Sequence, residues 1–311
     1  MNTFKSYLEA QDKSKSTIKH YNSYIMDFLG WLDMDNTEAE NATAKEVLSY
    51  LNHLQNKGQE NKTRAIRLGV INHFFEYQIH HNHRADNPIK HLKIRGTKHK
   101  KLYTTLSKQD LEKIYTSYEI PTGKDPRANR NWFATYRLSK QRNKVVLSLM
   151  INQALTTVEV NRMELNDLRL REGEIYIRGG RKSNERTLKL KSNQIMDLME
   201  YALQVRQLFI PYQENQETKR LFLSVPGAGQ KKANDSLQIW KGLTHEIKAL
   251  NPKLINFKQV RTSVITKWLK QYNLREVQYM AGHRYVSSTE AYLANQMEDL
   301  QTDIDKFHPM G

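Results

Sequence analysis

The 311-residue chain carries 49 Lys and Arg against 33 Asp and Glu, a formal net charge of +16, and its length suits two domains at roughly 150 residues each. Cysteine is absent, which excludes disulfides and thiolate metal sites and agrees with a reducing, cytoplasmic setting. No apolar run reaches the ~18 residues of a membrane span, and the start, MNTFKSYLEAQDKSKST, lacks the apolar centre of a secretory leader.

In chain order, the first signal is helical. Ile18, Tyr21, Ile25, Phe28, Leu29 and Leu32 recur at three- and four-residue steps and form one apolar stripe. Thr43 and Glu46 have capping-box spacing, followed by Val47, Leu48, Leu51 and Leu54 on one side, with Gly58 as a stop. A further helix carries Ile66, Val70, Ile71, Phe74 and Phe75, and its other side shows Lys62, Arg64 and Arg67. Such a helix can pack on one face and meet phosphate on the other. The charge is uneven in the same sense: residues 1–57 hold 6 basic and 8 acidic residues, residues 58–101 hold 10 and 3. A basic stretch of this kind is the footprint expected for a nucleic-acid backbone. His80, His81 and His83 lack a second ligand cluster, so no metal is expected there.

Asn87-Pro88 ends this part. The stretch from 96 to 105 is basic and aperiodic, and Lys98, Lys100 and Lys101 make it a candidate DNA-contacting linker. Ser107 and Asp110 open the second part with another capping box. Residues 141–167 are predicted as one helix around VVLSLMI. EGEIYIRGGRKSNERTLKLK then changes period to two, breaks at a Gly-rich turn and alternates again, which predicts a β-hairpin with a basic tip. Residues 193–209, 236–250 and 258–271 return to helix, and Asn273 caps a short helix ending near Gly282. The fold class expected is mainly α with a small β-sheet or hairpin: a helical domain over 1–95, a linker over 96–105 and a mixed domain over 106–311.

The segment MAGHRYVSSTEAYL, residues 280–293, resembles the C-terminal signature of tyrosine recombinases, the phage-integrase and Xer-like family. Gly282-His283 precedes Tyr292 by the family's nine residues, and KQVRTSVITKWL supplies Arg261 and Lys258 upstream, where the family has Arg and usually His. GGRKSNER, Gly179 to Arg186, resembles the family's hairpin motif with one residue inserted. The resemblance implies a helical core-binding domain, a mixed catalytic domain, and site-specific DNA integration and recombination as practised by mobile genetic elements. It also implies cleavage and rejoining through a 3′-phosphotyrosyl intermediate and a Holliday junction, by a homotetramer that clamps double-stranded DNA at two sites. Accessory DNA-bending proteins are compatible with it; metal, other cofactors and a membrane are not called for. Tyr292 is then the nucleophile, Arg261, His283 and Lys258 the donors to the phosphate, and Lys182 the acid for the leaving 5′ oxygen, with Arg181 as a DNA contact. These types suit the chemistry. A phenol with a pKa near 10 attacks poorly at neutral pH, and fixed guanidinium and imidazole donors offset the charge that builds on the phosphate oxygens. Alternatives sharing the residues are a type IB topoisomerase-like relaxing enzyme, which also uses lysine at the position of Lys258, and a non-catalytic DNA-binding protein of recombinase descent.

One departure stands out. QALTTVEV, residues 153–160, matches the segment that carries the family's first arginine, yet Thr156 occupies the arginine position. Integrases of some conjugative transposons share this loss. Lys144, twelve residues earlier on the same predicted helix, is a candidate replacement, as are Arg142 and Arg178.

Overall fold

The computed structural model describes residues 3–97, 104–181, 183–227, 229–233 and 237–293. The chain divides into two compact units, 1–101 and 102–311. Lys98, Lys100 and Lys101 lie outside the described residues.

Among its described residues the first unit has four helices: α1 (Phe4–Ala10), α2 (Lys15–Met34), α3 (Ala44–Asn56) and α4 (Asn61–His80). Thr3 and Ser14 cap α1 and α2 with their hydroxyls, and Thr43 and Glu46 form the expected capping box on α3. Phe28, Tyr50, Ile71 and Phe75 meet in the core. The inward stripe of α4 differs from the one expected. Arg64, Leu68, Ile71 and Phe75 share the buried side, whereas Ile66 is exposed. At about 100° per residue, position 64 falls in line with 68, 71 and 75, so the arginine is carried inward and the isoleucine outward. The neighbourhood accepts this because Arg64 has partners there, donating through Nε to the Leu51 carbonyl (3.1 Å) and through Nη1 to Asn61 (3.0 Å).

The second unit contains α5 (Lys108–Thr116), α6 (Phe133–Gln153), α7 (Thr157–Arg162), a three-stranded antiparallel sheet and α8 to α12. The strands β1 (Leu168–Arg169), β2 (Glu174–Ile177) and β3 (Arg186–Lys189) lie in the order β1-β2-β3. β2 and β3 form the expected hairpin, with Ile175 opposite Leu188 and Ile177 opposite Arg186. α8 (Ser192–Glu200) runs on through a π turn and a 3-10 segment to Tyr212. The remaining helices are α9 (Trp240–Leu250), α10 (Phe257–Leu269), α11 (Leu274–Ala281) and α12 (Val286–Glu290). α6 is buried almost all round, from Val145 to Ile151 without a break, as a central helix must be.

The single helix expected over 141–167 is two. Ala154 takes a left-handed conformation (φ 52°, ψ 33°) and ends α6. Thr156 then caps α7, accepting from the Glu159 amide at 3.2 Å while Glu159 reaches back to the Thr156 amide at 2.8 Å. Lys144 and Thr156 therefore do not share a helix. The apolar periodicity ran on across the break because Leu155 and Val160 are themselves buried.

Candidate active site

Three elements of the second unit converge: the first turns of α10, the turn after α11, and the end of the segment following α12. Asn256 caps α10 with its side chain, which places Arg261 one and a half turns in, on the side facing the α6–α7 junction. Its side chain is 11% exposed. The guanidinium donates to the carbonyls of Ala154 and of Ala281, the latter at 2.7 Å, and its Nη2 lies 3.2 Å from His283 Nε2. Two carbonyls from opposite walls thus fix the plane of the guanidinium, and Glu159 adds its carboxylate at 3.7 Å.

His283 follows Gly282, whose left-handed conformation (φ 66°) ends α11 and turns the chain back towards the hairpin. His283 pairs with Ser183 across an antiparallel bridge, and the Asn184 amide donates to the Gly282 carbonyl at 2.9 Å. His283 Nδ1 lies 2.9 Å from Thr289 Oγ1. A guanidinium only donates, so Nε2 accepts from Arg261 and Nδ1 carries the proton towards Thr289. The imidazole is accordingly held neutral. Burial pushes its pKa down to about 4, with further lowering from Arg261 and Arg186 against the opposing pull of Glu159.

The half-buried Tyr292 ring stacks on His283, with centroids 5.6 Å apart and planes at 13°. The Tyr292 phenol also stands near the Arg261 guanidinium. Burial lowers the pKa of that guanidinium, while Glu159 and the phenol favour its charge. Arg261, His283 and Tyr292, separated by 22 and 9 residues in sequence, are one contact group in space. Lys258 is one turn ahead of Arg261 on α10 and exposed. Arg181 is exposed at the hairpin tip, where Gly180 and Ser183 pair. Lys182 lies outside the described residues, but its neighbour Ser183 is the residue bridged to His283.

The structure treats the other expected site residues unequally. Lys62 is exposed on α4. Arg64 is buried, as described, and Arg67 bonds Asp27 (2.9 Å) and the Tyr50 hydroxyl (2.7 Å) while lying over the Tyr24 ring. Both guanidinium groups are therefore occupied within the first unit, in contrast to the DNA-facing role expected for them. Each of the three candidate replacements for the arginine missing at position 156 is engaged with partners other than Arg261, His283 and Tyr292. Lys144 lies over the Tyr115 ring. Arg142 is buried and donates to the Leu223 carbonyl at 2.7 Å and to Asn143. Arg178 pairs with Glu164 and Asp167.

Two residues with a place in this geometry were assigned no role from sequence: Glu159 and Arg186. Arg186 lies on β3 with its side chain wholly buried and its Nη1 2.6 Å from Glu159 Oε1. Burial alone would raise the Glu159 pKa; Arg186, Thr156 and Arg261 together hold it below the usual carboxylate range. A signal existed in the alternation of β3, where Arg186 shares the inward face with Leu188. A charge at an inward strand position requires an opposite charge to meet it.

Among known proteins, the phage integrase family profile matches residues 131–299, and that of the phage integrase N-terminal SAM-like domain matches residues 1–82. The tyrosine recombinase XerA of Pyrococcus furiosus is 23% identical over 304 residues, covering 97% of this chain and 92% of its own length. Two solved structures share the fold. One is the XerH site-specific recombinase bound to a palindromic difH substrate in a post-cleavage complex (TM-score 0.69, 18% identity, 94% of this chain and 80% of that one). The other is a lambda integrase tetramer bound to a Holliday junction (TM-score 0.61, 13% identity, 93% and 74%).

Proposed function

This chain belongs to the phage integrase family, and we propose on that premise that it is a site-specific recombinase which cleaves and rejoins double-stranded DNA through Tyr292. The observation that carries the reading is the contact group itself: a phenol stacked on a neutral imidazole and standing near a guanidinium fixed by two carbonyls.

The chemistry follows from these positions. Tyr292 loses its phenol proton to water and attacks phosphorus, the P–O5′ bond breaks, and the 3′ phosphate becomes esterified to the phenol. Arg261 stabilises the added negative charge on the nonbridging oxygens, since its orientation is set before DNA arrives. His283, its Nδ1–H committed to Thr289, keeps Nε2 towards the reacting side. Lys258 adds a cation one turn away. Lys182, next in sequence to the Ser183 that bridges to His283, protonates the departing 5′ oxygen; Arg181 grips the backbone, because a guanidinium is too weak an acid to release its proton. The phosphotyrosyl ester retains the energy of the bond, so the reverse step with a different 5′ hydroxyl exchanges strands. No metal or nucleotide enters this scheme.

On the first unit, Lys62 is the helix residue suited to phosphate contact, and Lys98, Lys100 and Lys101 are further basic residues later in the sequence. A tetramer acting on two sites through a Holliday junction is supported by the lambda integrase likeness. No helix among the described residues is long and apolar enough to cross a membrane.

A nicked suicide substrate tests the reading. The wild-type protein accumulates a covalent, protease-sensitive DNA adduct, whereas Tyr292→Phe forms none and binds DNA with nearly unchanged affinity. Adduct formation by the Phe variant would refute the assignment and turn attention to Tyr285. Exchange between two separate sites distinguishes recombination from simple relaxation, and a wild-type protein without adduct would leave only a binding role.

A further inference from the structure

We propose that Arg186 is a positioning residue of the cleavage centre: its buried guanidinium ties the hairpin's return strand to the Gly282–His283 turn and fixes positive charge behind the histidine. The inference rests on the reading of Tyr292, Arg261 and His283 given above.

The geometry has three parts. First, Arg186 spans two segments that sequence keeps far apart. Its Nε donates to the Met280 carbonyl at 2.8 Å, 94 positions away, and its Nη1 donates to Glu159 at 2.6 Å. Second, the turn is fitted to it. A methyl group at Gly282 would lie 2.4 Å from Arg186 Nη1, 2.9 Å from its Cζ and 3.1 Å from the Asn184 carbonyl oxygen. The glycine serves twice, through its positive φ and through this close approach. Third, Arg186 reaches the carboxylate that Thr156 binds from the other side: Thr156 Oγ1 lies 2.9 Å from Glu159 Oε2, and Arg186 takes Oε1. The junction that lacks an arginine at position 156 is thus met by a guanidinium arriving from β3. Because its side chain is 0% exposed, Arg186 acts through its neighbours rather than on DNA.

Stability by itself is a poor account of such a pair. Buried ion pairs are often no better for folding than apolar residues of the same volume. What this pair does is geometric and electrostatic. Glu159 of α7 is the single carboxylate between two guanidinium groups, Arg186 at 2.6 Å and Arg261 of α10 at 3.7 Å. Among the described residues, Arg186, Arg261, Glu159, Thr289 and the Tyr292 ring therefore face His283, two cations against one anion. Burial first, and this surplus in addition, keep the imidazole neutral and its Nε2 an acceptor, as the proton assignment above requires. The Met280 bond holds the turn itself, so a shift of the guanidinium would move His283 relative to Tyr292.

The test compares the wild type with R186K and R186M by two measurements. NMR titration of the DNA-free protein follows His283, identified by the signal missing in H283Q. In R186M the midpoint rises from about 4 towards the ordinary ~6.5; in R186K it stays low, because the charge remains. On the nicked substrate, R186M slows adduct formation by about a hundredfold, the scale of loss for a misplacement near 1 Å, with DNA affinity nearly unchanged; R186K lies between. An unmoved midpoint in R186M, or wild-type cleavage by it, overturns the proposal. Should R186M fail to fold, the paired change E159Q/R186Q removes both charges and retains hydrogen-bonding groups; it must still slow cleavage, and wild-type cleavage by it equally overturns the proposal. Absence of adduct from the wild type would sink the cleavage reading instead, while the titration would still report whether Arg186 governs His283.

Discussion

Replacing Thr156 by alanine separates a cap from a catalyst. The Thr156 hydroxyl makes two contacts in the structure: it accepts from the Glu159 amide at 3.2 Å and donates to Glu159 Oε2 at 2.9 Å. Loss of such an N-cap costs about 0.5–2 kcal/mol, typically ~1. The Glu159 carboxylate keeps the Thr156 amide at 2.8 Å and Arg186 at 2.6 Å, so its charge remains paired and no larger penalty arises. For a unit of this size the expected fall in Tm is about 1–8 °C, at ~2–4 °C per kcal/mol. Both bonds point inward along α7, so the hydroxyl contributes little at the phosphate. Adduct formation on the nicked substrate should therefore slow by less than about tenfold, equivalent to ~1.4 kcal/mol, and Thr156→Ser should restore both quantities. Thr156→Arg should not raise cleavage. It removes the same cap, and it brings a third guanidinium to a carboxylate already shared by Arg186 and Arg261. A hundredfold loss of cleavage in Thr156→Ala at unchanged Tm would refute this reasoning and place the hydroxyl in the chemistry. An unchanged Tm with unchanged cleavage would refute the cap.

Arg64→Met should destabilise the first unit by about 1–3 kcal/mol, since it removes the bonds that the guanidinium donates to the Leu51 carbonyl and to Asn61; thermal melts measure this, and the salt dependence of DNA binding should not change. Neutralising Lys98, Lys100 and Lys101 together should instead flatten that salt dependence, by up to roughly 0.9 log unit per log unit of salt for each phosphate that these lysines neutralise in the wild type; an unaltered slope means they do not touch the backbone. The His283 pKa predicts a pH effect on folding. It is about 4 in the folded state against ~6.5 unfolded, so the unfolded chain binds the proton more readily. Stability relative to His283→Gln should then be full above pH ~6.5, fall progressively as the pH drops, and reach its floor below pH ~4. The loss is about 1–2 kcal/mol after allowing for solvent screening of a part-exposed ring. Parallel melting curves for the two proteins across that range would contradict the neutral buried imidazole.

Local chemistry was decisive wherever a residue's role depends on its near neighbours in the chain. The capping boxes at Thr43 and Ser107, the Asn273 cap, the Gly282 stop and the Glu174–Lys189 hairpin region are all contained within a few residues, and the structure has them where the sequence placed them. The Gly282-His283 to Tyr292 spacing is also short, so the motif could be read directly. Tertiary structure decided what depends on direction and on distant partners. Periodicity counts apolar residues but cannot fix the rotation of a helix to within one position, so Arg64 went inward and Ile66 outward. A continuous apolar pattern cannot reveal a left-handed residue at Ala154, so the sequence reads α6 and α7 as one helix and puts Thr156 on the helix that carries Lys144. The Glu159–Arg186 pair joins residues 27 positions apart, and Arg186 meets Met280 across 94. No local pattern encodes those distances; they arise only when packing brings α7, β3 and the end of α11 around one buried charge, which cannot remain there without an opposite charge beside it.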